Sequence, residues 1–301
     1  MNWRRIAAVI FVVAALAFLG LLVRSQWSEL RKYEWHIEPA WALLALLGLE
    51  AAWLFELDTW RSILAGLGGR LPFGRAAEIW YLSNIIRYIP GNVWQFLGMA
   101  EMAAEDGVSR VSTFTSIALH QAISTAAGLS LAAVYFATTG QAEWAARFRP
   151  VLWLVPLGLF LLQPRLLEAI MNRVLASVKR PPIRVTLTWG QVWVLLFRYV
   201  IVWLVMGLSF AALVRSLANV SWPDVPWLVA TWVTAYTAGY VSMLTPSGLG
   251  VREGVMALLL GQLLPVSVAV VISIVARLWM VAGELVGAGA VLLIRVVRRR
   301  N

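Results

Sequence analysis

Long apolar runs recur along the whole chain, and they constrain what it can fold into more than any other feature. Residues 6–23, 40–60, 112–138, 191–214 and 266–294 are predominantly Leu, Val, Ile, Ala and aromatic side chains. A run of ~20 such residues matches the hydrocarbon thickness of a bilayer, where only a helix among open structures satisfies its own backbone. A sixth run, 151–162, is shorter and is expected to continue past Pro164. Hydrophobic residues make up 61% of the chain, more than a soluble domain of this size can hide, so lipid is the main solvent. The fold class that follows is an all-α polytopic integral membrane protein, one membrane domain over residues 1–301.

The first run follows Arg4 and Arg5 and exceeds the ~7–15 residues of a signal-peptide core, so it is expected to stay as a span with its amino end in the cytoplasm. Seventeen Trp suit long interfacial margins, where an indole keeps its ring in the acyl region and its N–H near water. The absence of Cys excludes disulfides and thiol chemistry, and His36 and His120 alone cannot build a histidine-rich metal centre. No metal and no cofactor is expected. The net charge of +10 is scattered between apolar runs and forms no single basic face, which points to anionic lipid headgroups and away from nucleic acid.

Two apolar stretches are interrupted. Residues 76–104 are broken at Pro90-Gly91, and residues 227–264 at Thr245-Pro246-Ser247-Gly248-Leu249-Gly250. Proline removes a helical hydrogen bond and glycine permits backbone angles other residues avoid, so each stretch is expected to be two short helices with an unwound tip. Charge bias says whether they cross. If residues 76–104 crossed, the basic loop with Arg165, Arg173, Lys179, Arg180 and Arg184 would face outward, against the positive-inside rule. Two re-entrant hairpins remove the conflict.

The expected plan is six transmembrane helices plus two re-entrant broken helical hairpins, in half-repeats 1–140 and 150–301. Three crossings per half make the second half inverted, the signature of an alternating-access carrier. An interfacial cytoplasmic helix is expected at about 164–180, where Leu167, Ile170, Met171 and Val174 recur at helical spacing before Pro181-Pro182.

Arg87, Arg198, Arg252, Arg277, Glu50, Glu253, Glu284 and His120 all lie inside apolar stretches. An ionised group there costs at least ~2.5 kcal/mol unless it is paired or wetted, so these residues line a cavity or pair across helices. Arg87 precedes Pro90 by three residues and Arg252 follows Gly250 by two, so each half sets a guanidinium beside its break. The helix starts at Asn92-Val93-Trp94 and Val251-Arg252-Glu253 expose N–H groups, and an amino end with added arginine suits phosphate. The plainer alternative is an ion pair that fixes packing, such as Arg252 with Glu284 or Arg277 with Glu253.

The segments Arg87-Tyr88-Ile89-Pro90-Gly91-Asn92-Val93-Trp94 and Thr245-Pro246-Ser247-Gly248-Leu249-Gly250-Val251-Arg252-Glu253 together resemble the paired signature of the lysylphosphatidylglycerol synthase transmembrane-region family. The resemblance implies a flippase-like membrane region, in stand-alone members linked to glycolipid or polyprenyl-lipid pathways. The chain ends at Asn301 just after its last span, so the cytosolic aminoacyl transferase of fused members is not expected.

The reading that follows is a carrier moving an anionic lipid, either a phospholipid or a polyprenyl-phosphate-linked glycolipid, across a bacterial plasma membrane with both termini cytoplasmic. Arg87 and Arg252 would hold the phosphate, Arg277 and Glu284 would balance charge, and Asn92, Gln95 and Ser247 would add neutral hydrogen bonds. Glu253 completes the substrate-binding set. No G-x-x-x-x-G-K-[ST] segment is present, so ATP does not drive the carrier directly. Two alternatives stay open: a membrane-embedded transferase on a polyprenyl-phosphate lipid, and a non-transporting scaffold for a glycosyltransferase. The first wants clustered carboxylates, whereas Asp58, Asp106 and Asp224 are far apart in sequence and no catalytic residue is assigned. Besides the anionic lipid, a glycosyltransferase or lipid-modifying enzyme is the candidate partner.

Overall fold

The computed structural model describes residues 24, 27–86, 94–139, 143, 146, 149, 152, 154–177, 179–242, 248 and 250–300. The fold is all-helical, with no strand among the described residues. The first expected span, residues 6–23, lies outside them.

In chain order the helices are α1 Trp27–Lys32, α2 Pro39–Ala65, α3 Phe73–Ile86, α4 Trp94–Glu105, α5 Arg110–Thr138, α6 Leu154–Leu161, α7 Pro164–Ser177, α8 Trp189–Arg215, α9 Val225–Ser242, α10 Val251–Leu260 and α11 Val266–Arg300. Four helices are long and apolar enough to cross a membrane: α2, α5, α8, and α11 over Val266–Val297. Each covers one of the expected runs. Their outer faces carry large exposed apolar side chains, such as Leu43, Leu47 and Leu54 on α2 and Trp193, Phe197, Leu204 and Leu208 on α8. In water such faces would be a liability, and in lipid they are the solvated surface.

The sixth apolar run ends sooner than its sequence suggests. Helix α6 has eight residues, about 12 Å at 1.5 Å each, and the chain breaks at Leu162 and Gln163 before Pro164 opens α7. Proline has no N–H to give to an incoming helix, while its fixed φ fits a first helical position. Helix α7 stops at Ser177, and its outgoing chain is tied back to it. The Asn172 side chain accepts from the Ile183 N–H at 2.8 Å and donates to the Ile183 carbonyl at 3.0 Å.

Both interrupted stretches form antiparallel helical hairpins. In the first, Arg75 at the start of α3 donates to Asp106, just past the end of α4, and to Glu105 at that end, both at 2.7 Å. Nearer the tip, Gln95 donates to Asn84 at 2.6 Å. Gly107 takes a φ of +76°, which only glycine adopts cheaply, and lets the Val108 N–H close onto the Ala103 carbonyl at 3.1 Å. At this mouth Arg110 donates twice to Glu101, and those bonds hold the exposed Glu101 carboxyl below its ordinary pKa. In the second hairpin, the Trp227 indole at the start of α9 donates to the Leu259 carbonyl near the end of α10 at 2.9 Å. Over the described residues, the arms of 14 and 12 residues in the first hairpin and of 10 in α10 reach roughly 15–21 Å, short of the ~30 Å hydrocarbon core, whereas the 18 residues of α9 reach roughly 27 Å.

The chain divides into two compact units that interleave in sequence. One takes its described residues from 24–52 and Trp203–Gly287, and so holds the α9–α10 hairpin. Its core is aromatic: Trp232 stacks with Phe210 at 5.2 Å and with Tyr236 at 4.2 Å, and meets Trp279 edge-on at 5.4 Å. At one end Arg215 lies over the rings of Trp41 and Trp222 and donates to the Val220 carbonyl, an amphipathic cluster of the kind that suits a membrane–water margin. The other unit takes Trp53–Ile86, 94–202 and 288–300, and holds the α3–α4 hairpin.

Candidate functional site

The second break builds a charged cleft within its own unit. Gly248 and Gly250 adopt φ of +68° and +84°, conformations that residues with a Cβ rarely take. Gly248 also presses onto the α9 backbone, since a Cβ there would fall 2.9 Å from the Gly239 Cα. This tight tip delivers the start of α10 to α9 with Val251, Arg252 and Glu253 in its first turn. Glu253 reaches back and accepts from the Gly250 N–H at 2.8 Å, satisfying one of the N–H groups that a helix start leaves open.

Glu253 is only 2% exposed, and two guanidinium groups converge on it. Arg277, from α11, donates to its Oε1 at 2.8 Å. Arg252 stands 3.6 Å from the same oxygen, beyond hydrogen-bond length, with its guanidinium 4.2 Å above the face of Tyr236. Trp232, Tyr236, Arg252, Glu253, Ser273 and Arg277 line a closely packed cleft. In a region of two cations, one anion and little water, each charge acts more strongly than it would in bulk solvent.

The structure therefore brings together three of the residues singled out from sequence: Arg252, Glu253 and Arg277. The plain ion pair weighed for Arg277 with Glu253 is present, and it fixes one of the two arginines while leaving Arg252 over an aromatic ring. Glu284 is buried on α11, seven residues beyond Arg277, about 10 Å further along the axis and not in the cleft lining. Gln95 belongs to the other unit, where it donates to Asn84. Arg87, Asn92 and Ser247 lie outside the described residues. Of the other intramembrane charges, Arg198 is held at 2.5 Å by Asp58 and at 3.0 Å by the Ser62 hydroxyl.

The aromatic wall of the cleft escaped the sequence reading. Trp232, Tyr236 and Tyr240 recur every four residues, so they share one face of α9. That spacing was the available signal.

The family model described as the lysylphosphatidylglycerol synthase TM region matches residues 5–287. The chain belongs to that family. Both interrupted stretches and all four long apolar helices fall within or largely within the match. Membership and the membrane-crossing helices make the chain an integral membrane protein of lipid metabolism or transport. No curated protein and no solved structure matches it at a significant level.

Proposed function

We propose that this member of the lysylphosphatidylglycerol synthase transmembrane-region family is a flippase-like carrier that moves an anionic lipid between the leaflets of a bacterial plasma membrane. The observation that carries the reading is the cleft at the α9–α10 tip. Two arginines from different helices meet one buried carboxylate there. A lipid phosphate is complementary to these guanidinium groups, and Arg252 offers it a planar fork of donors. The side chains that line the cleft are packed against one another, so a headgroup enters only as the walls part. That suits an occluded stage of a carrier cycle better than a standing binding pocket.

The arrangement we infer has six spans and two re-entrant hairpins in two inverted halves, with both termini cytoplasmic. The short antiparallel hairpins support it, because neither second arm has the length to cross. The mouth of the first hairpin and the basic segment 179–184 then share the cytoplasmic side. Glu105, whose side chain is 71% exposed, suits a single-cysteine test in a chain that has no cysteine of its own. An impermeant thiol reagent is expected to label Glu105→Cys from inside only. Labelling from outside would defeat the re-entrant arrangement.

The activity is tested with purified protein in liposomes. A labelled anionic lipid is expected to redistribute between leaflets and to be recovered chemically unchanged. A covalently altered product that depends on the protein and an added donor would replace the carrier by a membrane transferase. Binding of a partner glycosyltransferase without any lipid movement would replace it by a scaffold.

A further inference from the structure

A second pair of arginines shares one carboxylate in the other unit, on helices α2 and α8. Phe55, Asp58 and Ser62 recur at i, i+3 and i+7, so they form one stripe of α2, with Arg61 nearly a turn beyond Asp58. Arg61 donates to one oxygen of Asp58 at 2.6 Å and to the Leu71 carbonyl at 3.1 Å. Arg198 of α8 donates to the other oxygen at 2.5 Å and to the Ser62 hydroxyl at 3.0 Å. Aromatic rings flank both cations: Phe55 lies 4.9 Å from the Arg198 guanidinium and Phe73 lies 5.5 Å from that of Arg61.

From this arrangement we propose that Arg61 and Arg198 bind the phosphate headgroup of an anionic lipid at the membrane margin, in a site that uses none of the residues of the α9–α10 cleft. The binding claim stands on this unit alone. Only the assignment of the site to the cytoplasmic leaflet rests on the arrangement inferred above.

The donors of the two arginines are not used up by Asp58. A guanidinium carries five N–H donors. Among the described residues, Nη2 of Arg61 and Nε of Arg198 have no acceptor, and neither atom is buried. Neither arginine makes a second ion pair among the described residues, so one carboxylate serves two cations. The cluster is also open, with the side chains of Asp58, Arg61 and Arg198 39%, 29% and 20% exposed. Asp58 thus sets two guanidinium groups side by side, and a phosphate has the oxygens to accept from both.

The depth suits a headgroup. Arg61 lies four residues before the end of α2 and Arg198 nine residues after the start of α8, about 6 and 14 Å along the two axes. Side chains lean toward the amino end of their helix, so the long Arg198 stem carries its charge back toward the start of α8. These two helix ends lie together, because Thr186 donates through its N–H and its hydroxyl to the Gly66 carbonyl at 3.1 and 2.7 Å. At the start of α8 the exposed rings of Trp189 and Trp193 stack at 6.1 Å, and exposed indoles mark the interfacial zone. Arg70, on the chain that leaves α2, and Lys179, Arg180 and Arg184, on the chain that enters α8, are all exposed. Such basic groups at a membrane margin draw anionic headgroups toward it.

The test reads occupancy at this place and involves no transport. Phe73 is 43% exposed beside Arg61, so photoreactive benzoylphenylalanine in its position samples whatever binds there. The full chain carrying it is placed in phosphatidylcholine nanodiscs with a trace of labelled phosphatidylglycerol, or of labelled diacylglycerol with the same acyl chains and no phosphate. Light is expected to capture phosphatidylglycerol several-fold more than diacylglycerol. Arg61→Gln is expected to remove that excess, and Arg198→Lys, which keeps the charge without the planar fork, to reduce it in part. Asp58→Asn is expected to raise capture, because no carboxylate then competes with the phosphate for the two guanidinium groups. That opposite sign separates a headgroup site from a packing ion pair, which either substitution would harm alike.

Equal capture of the two lipids overturns the site, and this comparison needs no substitution in the cluster. A fall with Asp58→Asn that matches the fall with Arg61→Gln also overturns it. Loss of capture under millimolar inorganic phosphate would assign the two arginines to a soluble phosphate and overturn the lipid claim. Selective capture by a chain that moves no lipid in liposomes supports the headgroup site and overturns the carrier reading, whereas lipid movement without selective capture does the reverse.

Discussion

Arg252→Ala is expected to reduce movement of a labelled anionic lipid in liposomes to background while the protein still inserts and purifies as a single species. The two effects separate because of how Arg252 is held. It stands 3.6 Å from Glu253, and its guanidinium lies 4.2 Å over the ring of Tyr236. A cation over an aromatic ring contributes ~0.5–2 kcal/mol, less than the ~3–5 kcal/mol of a broken buried ion pair. For a bound phosphate the same side chain would supply two charge-assisted hydrogen bonds, each ~1.5–3 kcal/mol, so their loss weakens the hold at least roughly a hundredfold. Arg252→Lys keeps the charge without the planar fork and is expected to fall between wild type and Ala. Undiminished transport by Arg252→Ala would remove the phosphate role from this cleft.

The parts of the fold governed by local rules were open to a reading of the sequence alone. Four apolar runs became four long helices because a bilayer-length stretch of Leu, Val, Ile and Ala has one way to satisfy its backbone in lipid. Pro90-Gly91 and Pro246 to Gly250 marked where two stretches become hairpins, because proline and glycine act on the backbone wherever they stand. The convergence of Arg252 and Glu253 was visible for the same reason, since they are neighbours at one helix start.

Several of the misses are matters of which helix lies beside which. Glu56 and Asp58 are two residues apart and so face different ways on one helix, but periodicity names a face and not the neighbour it meets. Asp58 finds Arg198, 140 positions on, and His120 finds Tyr199, 79 positions on. Nothing local distinguishes those partners from any other polar residue in an apolar run. The shortness of α6 was a different kind of miss, in which a local signal at Pro164 was outweighed by the apolar character of the residues before it.

Glu253→Ala should have the opposite outcome to Arg252→Ala: loss of folded protein before any question of transport arises. Glu253 is 2% exposed and satisfies two groups at once, the Gly250 N–H at 2.8 Å and Arg277 at 2.8 Å. Its removal leaves the part-buried Arg277 without this acceptor and the first turn of α10 without its cap. Deleting one partner of a buried ion pair costs ~3–5 kcal/mol, because the remaining charge is left uncompensated. A lost cap adds about 1 kcal/mol. Together these approach half or more of the ~5–15 kcal/mol that holds a typical domain folded. The measurement is the yield of monodisperse protein on gel filtration and its resistance to unfolding in a denaturing detergent. Glu253→Gln retains an oxygen that can accept from either Gly250 or Arg277, and is expected to recover part of the loss. The double variant Glu253→Ala with Arg277→Met removes charge with its partner and is expected to fold better than Glu253→Ala alone, although it would not restore the cap. If Glu253→Ala were as stable as wild type, the ion pair would not be what secures the α10 start against α11, and the distinction drawn between a fixed Arg277 and a ligand-facing Arg252 would fall with it.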